Sequence, residues 1–162
     1  MTNKIITQRE KQFHPTGRPI APVHFDQPAR GTSGHRKVFR RPFVLYFYPK
    51  DDSPGCMAEA CSFRDSYEDL RGLGAEVIGV SADSPESHLA FARKFDLPFV
   101  LLSNPGNDVR KKLGVPGSLF GLLPGRVTYV VGKGGTVQQV FNSQLNVREH
   151  VKVAIEELKE KP

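Results

Sequence analysis

Short apolar runs alternate along this chain with longer stretches in which apolar residues recur every three or four positions. Residues 43–48 are continuously apolar and rich in β-favouring side chains, which predicts a central strand buried on both faces. Residues 75–80 and 99–102 are shorter runs of the same kind. Between the first two runs, the spacing predicts a helix over 56–70, with an apolar face formed by Ala60, Phe63, Tyr67 and Leu70.

The second half of the chain continues this alternation and then changes character. Ser84 followed by Pro85 is typical of a helix start and predicts a helix to residue 95, and a short helix is expected over 108–113. Residues 126–131 and 136–141 flank a Gly-Lys-Gly-Gly turn and predict a hairpin. A final amphipathic helix is predicted from its apolar positions, and Asn146 with Glu149 resembles a capping box at its start; those positions are Val147, Val151, Ala154, Ile155 and Leu158.

The predicted order β-α-β-α-β-α-β-β-α indicates an α/β fold. Strands separated by helices are joined by right-handed crossovers and lie parallel, whereas the final hairpin adds an antiparallel pair, so a mixed β-sheet flanked by helices is expected. Residues 1–41 lack a sustained period and contain four prolines, which indicates loop or disorder. The expected organisation is therefore a flexible leader over 1–41 and one folded domain over 42–162.

The positive charge of the chain lies in that leader. The whole sequence has a net charge of +6, but residues 1–41 alone carry nine basic and two acidic side chains, a net charge of +7. A nucleic-acid-binding fold is expected to carry its positive charge on folded elements, so this distribution argues against one. The basic leader suits a solvated tail; a transit peptide is the alternative, although hydroxyl residues are few.

The composition also bears on compartment. The chain contains no apolar run near the ~20 residues of a membrane span and no apolar signal-peptide segment at its start. Two cysteines are too few for the disulfide framework of a secreted protein or for a four-thiolate zinc site. We therefore expect a protein that is not secreted, located in the cytoplasm or in an organelle.

Cys56 lies where chemistry is expected in an α/β sheet. The loop after a strand's carboxyl end commonly binds ligands, and Cys56 falls in the first turn of the helix that follows such a loop. Unpaired amides and the helix dipole favour negative charge there, so the position favours a thiolate. A buried cysteine often only packs, and that interpretation suits Cys61 alone better than Cys56. A metal site is disfavoured, because His88 and His150 lie in other helices without paired spacing and are expected to be surface or helix-end residues.

The spacing of the two cysteines has a mechanical consequence. Five helical residues separate two Cα atoms by roughly 7.5 Å along the axis and about 140° around it. A disulfide tolerates at most ~7 Å between Cα atoms, with converging Cβ atoms. If Cys56 and Cys61 do form a disulfide, the first turns of the helix must therefore unwind.

The stretch 46–67, Tyr-Phe-Tyr-Pro-Lys-Asp-Asp-Ser-Pro-Gly-Cys-Met-Ala-Glu-Ala-Cys-Ser-Phe-Arg-Asp-Ser-Tyr, resembles the active-site segment of Q-type peroxiredoxins. These form the bacterioferritin-comigratory-protein branch of the AhpC/TSA superfamily. The resemblance continues through 74–81, 97–103, Gly-Val-Pro at 114–116, Leu-Pro-Gly-Arg-Val-Thr-Tyr at 123–129 and Phe-Asn-Ser-Gln at 141–144, and so covers roughly residues 42–160.

The resemblance implies a thioredoxin-like fold and a thiol-specific peroxidase without metal, haem or flavin. It implies that Cys56 is the peroxidatic cysteine, which attacks hydrogen peroxide or an alkyl hydroperoxide, and that Cys61 resolves the sulfenic acid as an intramolecular disulfide. A thioredoxin-type dithiol then restores both thiols. Arg126 is expected to hold the thiolate, Ser53 to bond to the thiolate or the peroxide, and Pro49 to shield the sulfur from water.

The sequence departs from the family pattern in places that leave the catalytic groups intact. Residues 1–41 lack the usual N-terminal hairpin, Ser53 replaces the commoner threonine, and Met57-Ala58 replaces a more polar pair. An alternative function is a weakened relative that acts as a thiol redox sensor or binding module. A general disulfide oxidoreductase is disfavoured because no Cys-x-x-Cys pair occurs. The family also leads us to expect a monomer in the cytoplasm, or in a plastid if the leader directs it there.

Overall fold

The computed structural model describes residues 41–118 and 123–161, and within them the order of elements follows the predicted alternation. The strands in chain order are β1 (Phe43–Phe47), β2 (Glu76–Ser81), β3 (Val100–Ser103), β4 (Gly117–Ser118), β5 (Leu123–Pro124), β6 (Val127–Val131) and β7 (Val137–Asn142). The helices are α1 (Pro54–Asp65), α2 (Tyr67–Gly72), α3 (Pro85–Lys94), α4 (Asp108–Lys112) and α5 (Val147–Glu160).

Strand β1 lies at the centre of a five-stranded mixed sheet of order β3-β2-β1-β6-β7. It pairs in parallel with β2, where Leu45 lies opposite Ile78, and antiparallel with β6, where Leu45 lies opposite Tyr129. The predicted hairpin is the antiparallel pair β6–β7. This arrangement confirms the thioredoxin-like fold class. It places the loop after β1 at the carboxyl end of the central strand.

Both faces of the sheet are covered, as the continuous apolar run of β1 predicts. Alternate β1 residues point to opposite cores: Val44 and Tyr46 pack with Phe63 of α1, whereas Phe43 and Leu45 pack on the other face. The first core also contains residues of α2, α3 and α5, and the second contains residues of α4. Cys56 belongs to the first core, so helix α1 brings its thiol against the sheet.

The long helix predicted over 56–70 is two helices in the structure. Helix α1 begins at Pro54, two residues earlier than predicted, and Ser66 leaves helical geometry with φ −102° and ψ 7° before α2 begins. The predicted apolar face survives this break, because Ala60, Phe63, Tyr67 and Leu70 are all buried. These four side chains thus keep one buried face across the break at Ser66.

Three local predictions need correction. The start of α5 is not a capping box: Asn146 has ψ 62°, outside the extended range of a cap, and its backbone N–H donates to Ser143 Oγ at 3.1 Å. The segment between α4 and β6, for which the pattern predicts no element, contains the short pair β4–β5. His88 and His150, expected near the surface, are 1% and 0% exposed. Each histidine has partners for both ring nitrogens from distant segments, which the sequence alone does not reveal.

The predicted leader over 1–41 lies outside the described residues except for its last position. The expected absence of an N-terminal hairpin therefore stays a prediction. Among the helices of residues 41–118 and 123–161, none has the length and apolar character needed to cross a membrane.

Candidate active site

Cys56 occupies the first turn of α1. Ser53 is the N-cap with extended torsions, and Pro54 takes the first helical position, where its missing N–H removes no helical hydrogen bond. The first intrahelical bond runs from Met57 N–H to the Ser53 carbonyl at 2.9 Å. The backbone N–H groups of residues 55 and 56, which come before Met57 in the first turn, therefore have no intrahelical acceptor. They favour negative charge near the Cys56 sulfur.

Arg126, which immediately precedes β6, lies next to this sulfur. Its Nη2 lies 3.4 Å from Cys56 Sγ, and the arginine is 4% exposed. Gly55 makes this approach possible, since a Cβ atom at that position would lie 2.9 Å from the same Nη2. The structure thus brings together two residues that are 70 positions apart in the sequence.

Glu59 is the second partner of Arg126 and is fully buried. Its Oε2 accepts a short hydrogen bond from Arg126 Nη1, so one guanidinium serves both the Glu59 carboxylate and the Cys56 sulfur. Burial raises the pKa of Glu59 to about 7, and Arg126 only partly opposes this effect. Burial disfavours the charge of Arg126, but Glu59 and Cys56 outweigh it and raise the arginine pKa.

His150 of α5 lies behind Glu59. Its Nδ1 is 3.6 Å from Glu59 Oε1, too long for a hydrogen bond, and Glu59 Oε1 has no hydrogen-bond partner within the described part of the chain. The ring instead bonds through Nδ1 to Thr128 Oγ1 at 2.7 Å and through Nε2 to the Ser143 carbonyl at 2.8 Å. Burial lowers the pKa of His150 to about 4, so the ring is neutral at physiological pH.

Arg110 of α4 fixes the segment that carries Arg126. Its Nη2 donates to the Tyr48 carbonyl at 3.1 Å and to the Gly125 carbonyl at 2.8 Å, which joins the end of β1 to the residue before Arg126. Burial lowers the pKa of Arg110 to about 10, and the group still remains cationic near neutral pH. Gly125 is required here, because a Cβ atom would lie 2.1 Å from the Pro116 carbonyl oxygen.

A second buried polar network holds the loop between β1 and α1. Asp51 accepts hydrogen bonds from Tyr48 Oη at 2.7 Å and from Ser87 Oγ at 2.7 Å, and it lies 2.8 Å from His88 Nδ1. Burial tends to raise the pKa of Asp51, but the hydrogen bonds from His88, Tyr48 and Ser87 outweigh it and lower that pKa. The loop before Cys56 is thereby anchored to helix α3.

The two remaining predicted site residues lie in this loop. Pro49 is half-buried, two residues after the end of β1. The Ser53 hydroxyl donates to the Lys50 carbonyl at 3.0 Å, which leaves its oxygen lone pairs as the groups available to a ligand. Their roles as a shield and as a partner of the thiolate or peroxide stay predictions.

Cys61 lies on the other side of α1. It is a free thiol of intermediate exposure, and it lines a groove of about 660 Å³ between α1 and α5. Cys56 is a free thiol within the core. Because helix α1 is continuous over both positions, the structure holds the two sulfurs on different faces of an intact helix.

Sequence reasoning named Cys56, Cys61 and Arg126 as site residues, and the structure brings Cys56 and Arg126 together. It did not name the buried groups around them, which are Glu59, His150 and Arg110. Glu59 carries a usable signal: it lies three positions after Cys56, so a charged residue falls on the apolar face of α1. His150 and Arg110 carry no comparable signal, because their partners are backbone carbonyls and side chains far away in sequence. Within residues 41–118 and 123–161, no three His, Cys, Asp or Glu side chains form a group that could hold a metal ion.

The arrangement suits nucleophilic chemistry at sulfur. The Cys56 sulfur lies in the first turn of a helix and next to a buried guanidinium, where both groups favour negative charge that develops at sulfur. The guanidinium also has N–H donors in a planar fork, which can bind the oxygens of an incoming electrophile.

Comparisons with known proteins agree with this geometry. The model of the AhpC/TSA family matches residues 28–140. A chloroplastic peroxiredoxin Q of Sedum lineare is 56% identical over 126 residues, which cover 78% of this chain and 67% of the relative. The chloroplastic peroxiredoxin Q of Arabidopsis thaliana is 56% identical over 116 residues, which cover 72% of this chain and 54% of the relative. The chain thus spans about half to two thirds of the length of these curated relatives.

Solved structures lead to the same family. Peroxidoxin BcpB from Mycobacterium tuberculosis superposes with a TM-score of 0.80 at 30% identity, covering 91% of this chain and 97% of the other. Peroxiredoxin Q from Xanthomonas campestris superposes with a TM-score of 0.70 at 29% identity, covering 78% and 82%. The family match covers well over half of the sequence, and the chain belongs to the AhpC/TSA family and, within it, to the peroxiredoxin Q group.

Proposed function

We propose that this protein is a thiol peroxidase in which Cys56 reduces hydrogen peroxide or an alkyl hydroperoxide and Cys61 resolves the oxidised sulfur. The observation that carries the proposal is the position of Arg126 Nη2, 3.4 Å from Cys56 Sγ in the first turn of α1. The similarity to peroxiredoxin Q relatives supports it. A solved bacterioferritin comigratory protein from Xanthomonas campestris, described for alkyl peroxide reduction, supports the organic substrate class.

The first step oxidises the buried cysteine. The Cys56 thiolate attacks one oxygen of the O–O bond, a sulfur–oxygen bond forms, and the second oxygen leaves with the electron pair and a proton as water or an alcohol. Arg126 and the free amides of the first turn stabilise the charge that moves from sulfur to the leaving oxygen. In this proposal Ser53 binds the peroxide through its hydroxyl oxygen, and Pro49 limits the access of water.

The second step requires the helix to open. Cys61 must attack the Cys56 sulfenic acid, which releases water and forms the disulfide, but an intact helix holds Cα atoms five residues apart at roughly 7.5 Å along the axis and about 140° around it. The segment between the cysteines must therefore unwind locally in each cycle. The exposed groove beside Cys61 gives a thioredoxin-type dithiol access to the resulting disulfide.

Peroxide consumption with thioredoxin, thioredoxin reductase and NADPH tests the proposal directly. We expect turnover by the wild-type protein and none by the Cys56→Ser variant, with Cys61→Ser unable to sustain thioredoxin-dependent cycling. Wild-type turnover no faster than that of Cys56→Ser would refute the peroxidase proposal. Stoichiometric oxidation by peroxide without recycling would instead indicate the redox-sensor function.

For location and assembly we propose a plastid protein that acts as a monomer. The chloroplastic names of the curated relatives support the plastid. Import of the labelled chain into isolated plastids and sedimentation equilibrium of the purified protein test the two statements. Retention outside the plastid, or a mass of two chains, would contradict them.

A further inference from the structure

Glu59 and His150 form a buried titratable pair that the peroxidase cycle described above does not use. Both are 0% exposed, and both lie next to Arg126, which is 4% exposed. Glu59 Oε1 faces His150 Nδ1 at 3.6 Å and has no hydrogen-bond partner among the residues that the structure describes. A buried carboxylate oxygen left in this state is unusual, because buried polar atoms are normally satisfied.

The hydrogen bonds of His150 define which nitrogen carries its proton. The Ser143 carbonyl can only accept, so His150 Nε2, 2.8 Å away, is the N–H donor. Burial lowers the pKa of His150, so the ring is neutral and Nδ1 is unprotonated. The Thr128 hydroxyl donates to that Nδ1 at 2.7 Å. Glu59 Oε1 lies 3.6 Å from the same Nδ1, and a proton on Oε1 would make it a second donor to that nitrogen. Because Nδ1 has one lone pair, Glu59 would take it in place of the Thr128 hydroxyl.

The ionisation state of Cys56 determines how strongly protonation of Glu59 is favoured. Arg126 is shared, since Nη1 donates to Glu59 and Nη2 to the Cys56 sulfur. While Cys56 is a thiol, the arginine neutralises the Glu59 carboxylate alone. When Cys56 becomes a thiolate, two buried anions compete for one cation, and protonation of Glu59 relieves that competition.

Other charged or titratable groups near the pair do not remove this coupling. Tyr46 faces Glu59 from β1, and burial together with Glu59 raises its pKa well above the usual value, so it stays neutral. Arg110 faces Cys56 from α4 and is cationic whether Cys56 is a thiol or a thiolate. Both groups are therefore constant across the change at Cys56.

We propose that Glu59 and His150 are a proton-holding pair: ionisation of the Cys56 thiol is accompanied by protonation of Glu59 at Oε1, toward His150 Nδ1. In this arrangement His150 is a positioning residue, which acts through Glu59 and Arg126 and does not touch the sulfur. Burial in an apolar site can keep a carboxylic acid protonated at neutral pH.

The inference rests on the proposed peroxidase function for the fate of the proton. The Cys56 S–H bond breaks, its electron pair stays on sulfur, and the proton is held by Glu59. Attack on the peroxide then forms the S–O bond and breaks the O–O bond, and the leaving oxygen takes the electron pair. That oxygen also takes one proton, so the loss of the held proton from Glu59 balances the step and returns the pair to its starting state.

Infrared spectroscopy of the Cys61→Ser protein tests the coupling, because that variant has a single thiol. We expect a carbonyl band of a protonated carboxylic acid that disappears in Glu59→Gln. Its midpoint in a pH titration is expected to lie about one pH unit or more higher than in the Cys56→Ser/Cys61→Ser protein, which has no thiolate. Equal midpoints in the two proteins, or thiolate absorbance without any Glu59-dependent band, would overturn the proposal.

Two substitutions distinguish the role of His150 Nδ1 from that of His150 Nε2. His150→Gln can keep a donor near the Ser143 carbonyl but supplies no acceptor toward Glu59, whereas His150→Asn can place an amide oxygen near the position of Nδ1. We expect His150→Gln to lower the midpoint of the Glu59 band and to slow the reaction of Cys56 with peroxide about three- to tenfold at neutral pH, with partial recovery in His150→Asn. His88→Gln removes a histidine of similar burial elsewhere and is expected to leave the band unchanged.

The outcomes distinguish this inference from the function on which it rests. A purely structural role of His150 would lower the free energy of unfolding without moving the midpoint of the Glu59 band, and that result would contradict the inference. A protein that consumes peroxide while Glu59 titrates independently of Cys56 would overturn the coupling alone. A protein that consumes no peroxide but shows the coupled band would overturn the peroxidase function alone.

Discussion

On its inner face, helix α1 presents Cys56 to the sheet, where the residue is 1% exposed and its sulfur contacts Arg126. On its outer face, the same helix presents Cys61 to an open groove beside α5. The inner thiol thus has a buried cation and free helix amides, whereas the outer thiol has access to solvent. In the proposed function, this difference assigns attack to Cys56 and resolution to Cys61 by the direction in which each side chain points from the helix.

The two faces also differ in what holds them. The inner face is held by the buried ion pair of Glu59 with Arg126 and by the loop network of Asp51 and His88. On the outer side, the Ser62 hydroxyl donates to the Ala58 carbonyl at 2.8 Å, within the same helix. The unwinding that the proposed disulfide requires must therefore release the Cys56 sulfur from the buried contacts of the inner face.

The largest expected effect comes from replacing each of the two cysteines with serine in turn. Cys56→Ser is expected to abolish reaction with peroxide, because the outer thiol has neither Arg126 nor the first-turn amides. Cys61→Ser is expected to keep a single fast oxidation and to accumulate one sulfenic acid per chain, trapped with a dimedone-type reagent and counted by mass spectrometry. Fast peroxide reduction by Cys61 in the Cys56→Ser protein would contradict the comparison.

Removal of the buried cation is expected to have the next largest effect. Arg126→Met leaves Glu59 buried without its partner, and we expect a loss of about 3–5 kcal/mol in the free energy of unfolding. The rate of peroxide reduction is expected to fall about 10²- to 10³-fold. The double variant Arg126→Met/Glu59→Gln should recover much of the stability in urea unfolding but none of the rate.

Arg64→Met is the matched control for that experiment. Arg64 lies on α1, the helix that carries Glu59, and it pairs with Asp65, which is 67% exposed. We therefore expect a change below about 1 kcal/mol and an unchanged rate. A loss of stability equal to that of Arg126→Met would indicate that the buried ion pair has no special role.

The pH dependence of stability sharpens the comparison on the inner face. His150 has its pKa lowered from 6.5 to about 4, so the folded ring binds fewer protons than the unfolded chain in that window, and its contribution to stability rises with pH. Glu59 has its pKa raised from 4.5 to about 7, so its contribution falls as pH rises. In the wild-type protein the two trends oppose each other.

Urea unfolding of wild type and His150→Gln at several pH values measures this opposition. The stability of the wild type relative to the variant is expected to rise by up to about 3 kcal/mol between pH 4 and pH 6.5. A difference that does not depend on pH in this range would show that His150 does not titrate as its burial implies.

Gly55→Ala is expected to have a moderate effect on rate alone. The added Cβ would lie 2.9 Å from Arg126 Nη2 and must displace the guanidinium from the Cys56 sulfur, so we expect about a tenfold slower oxidation. Alanine favours the helix, so stability should not fall. Gly72→Ala is the control, since nothing lies within 4 Å of its added Cβ; equal kinetic effects in the two variants would contradict the account.

The smallest expected effect concerns the segment between the cysteines. Ala58 is exposed in α1, and Ala58→Gly should weaken this helix by about 1 kcal/mol, so disulfide formation should become about fivefold faster if unwinding limits it. Rapid-quench alkylation after one equivalent of peroxide gives the rate. Ala90→Gly makes the same change at an exposed position of α3 and should leave that rate unchanged.

The sequence was sufficient to predict the fold where local pattern decides structure. The buried strand β1, the apolar face of α1 and the β6–β7 hairpin all follow from spacing. Two of the features that spacing mispredicted, the break at Ser66 and the missing side-chain cap at Asn146, depend on backbone torsions that a hydrophobic pattern does not contain.

The candidate site was predictable only in part. Cys56 could be identified from its helix position, whereas Arg126 required the family resemblance, because 70 residues separate the two. Glu59 had a signal in its phase on the helix, but its partner His150 lies in the last helix and could not be inferred from either segment alone. Long-range polar pairs of this kind are set by how elements pack, not by the residues around each partner.

The central claim is that Cys56 and Cys61 join only when α1 unwinds. Amide hydrogen exchange of reduced and peroxide-oxidised protein, read by mass spectrometry on peptides spanning residues 54–65, tests it most directly. We expect slow exchange in the reduced protein and fast exchange in the disulfide form, with α5 protected in both. A Cys56–Cys61 disulfide in a helix that stays as protected as in the reduced protein would contradict the account.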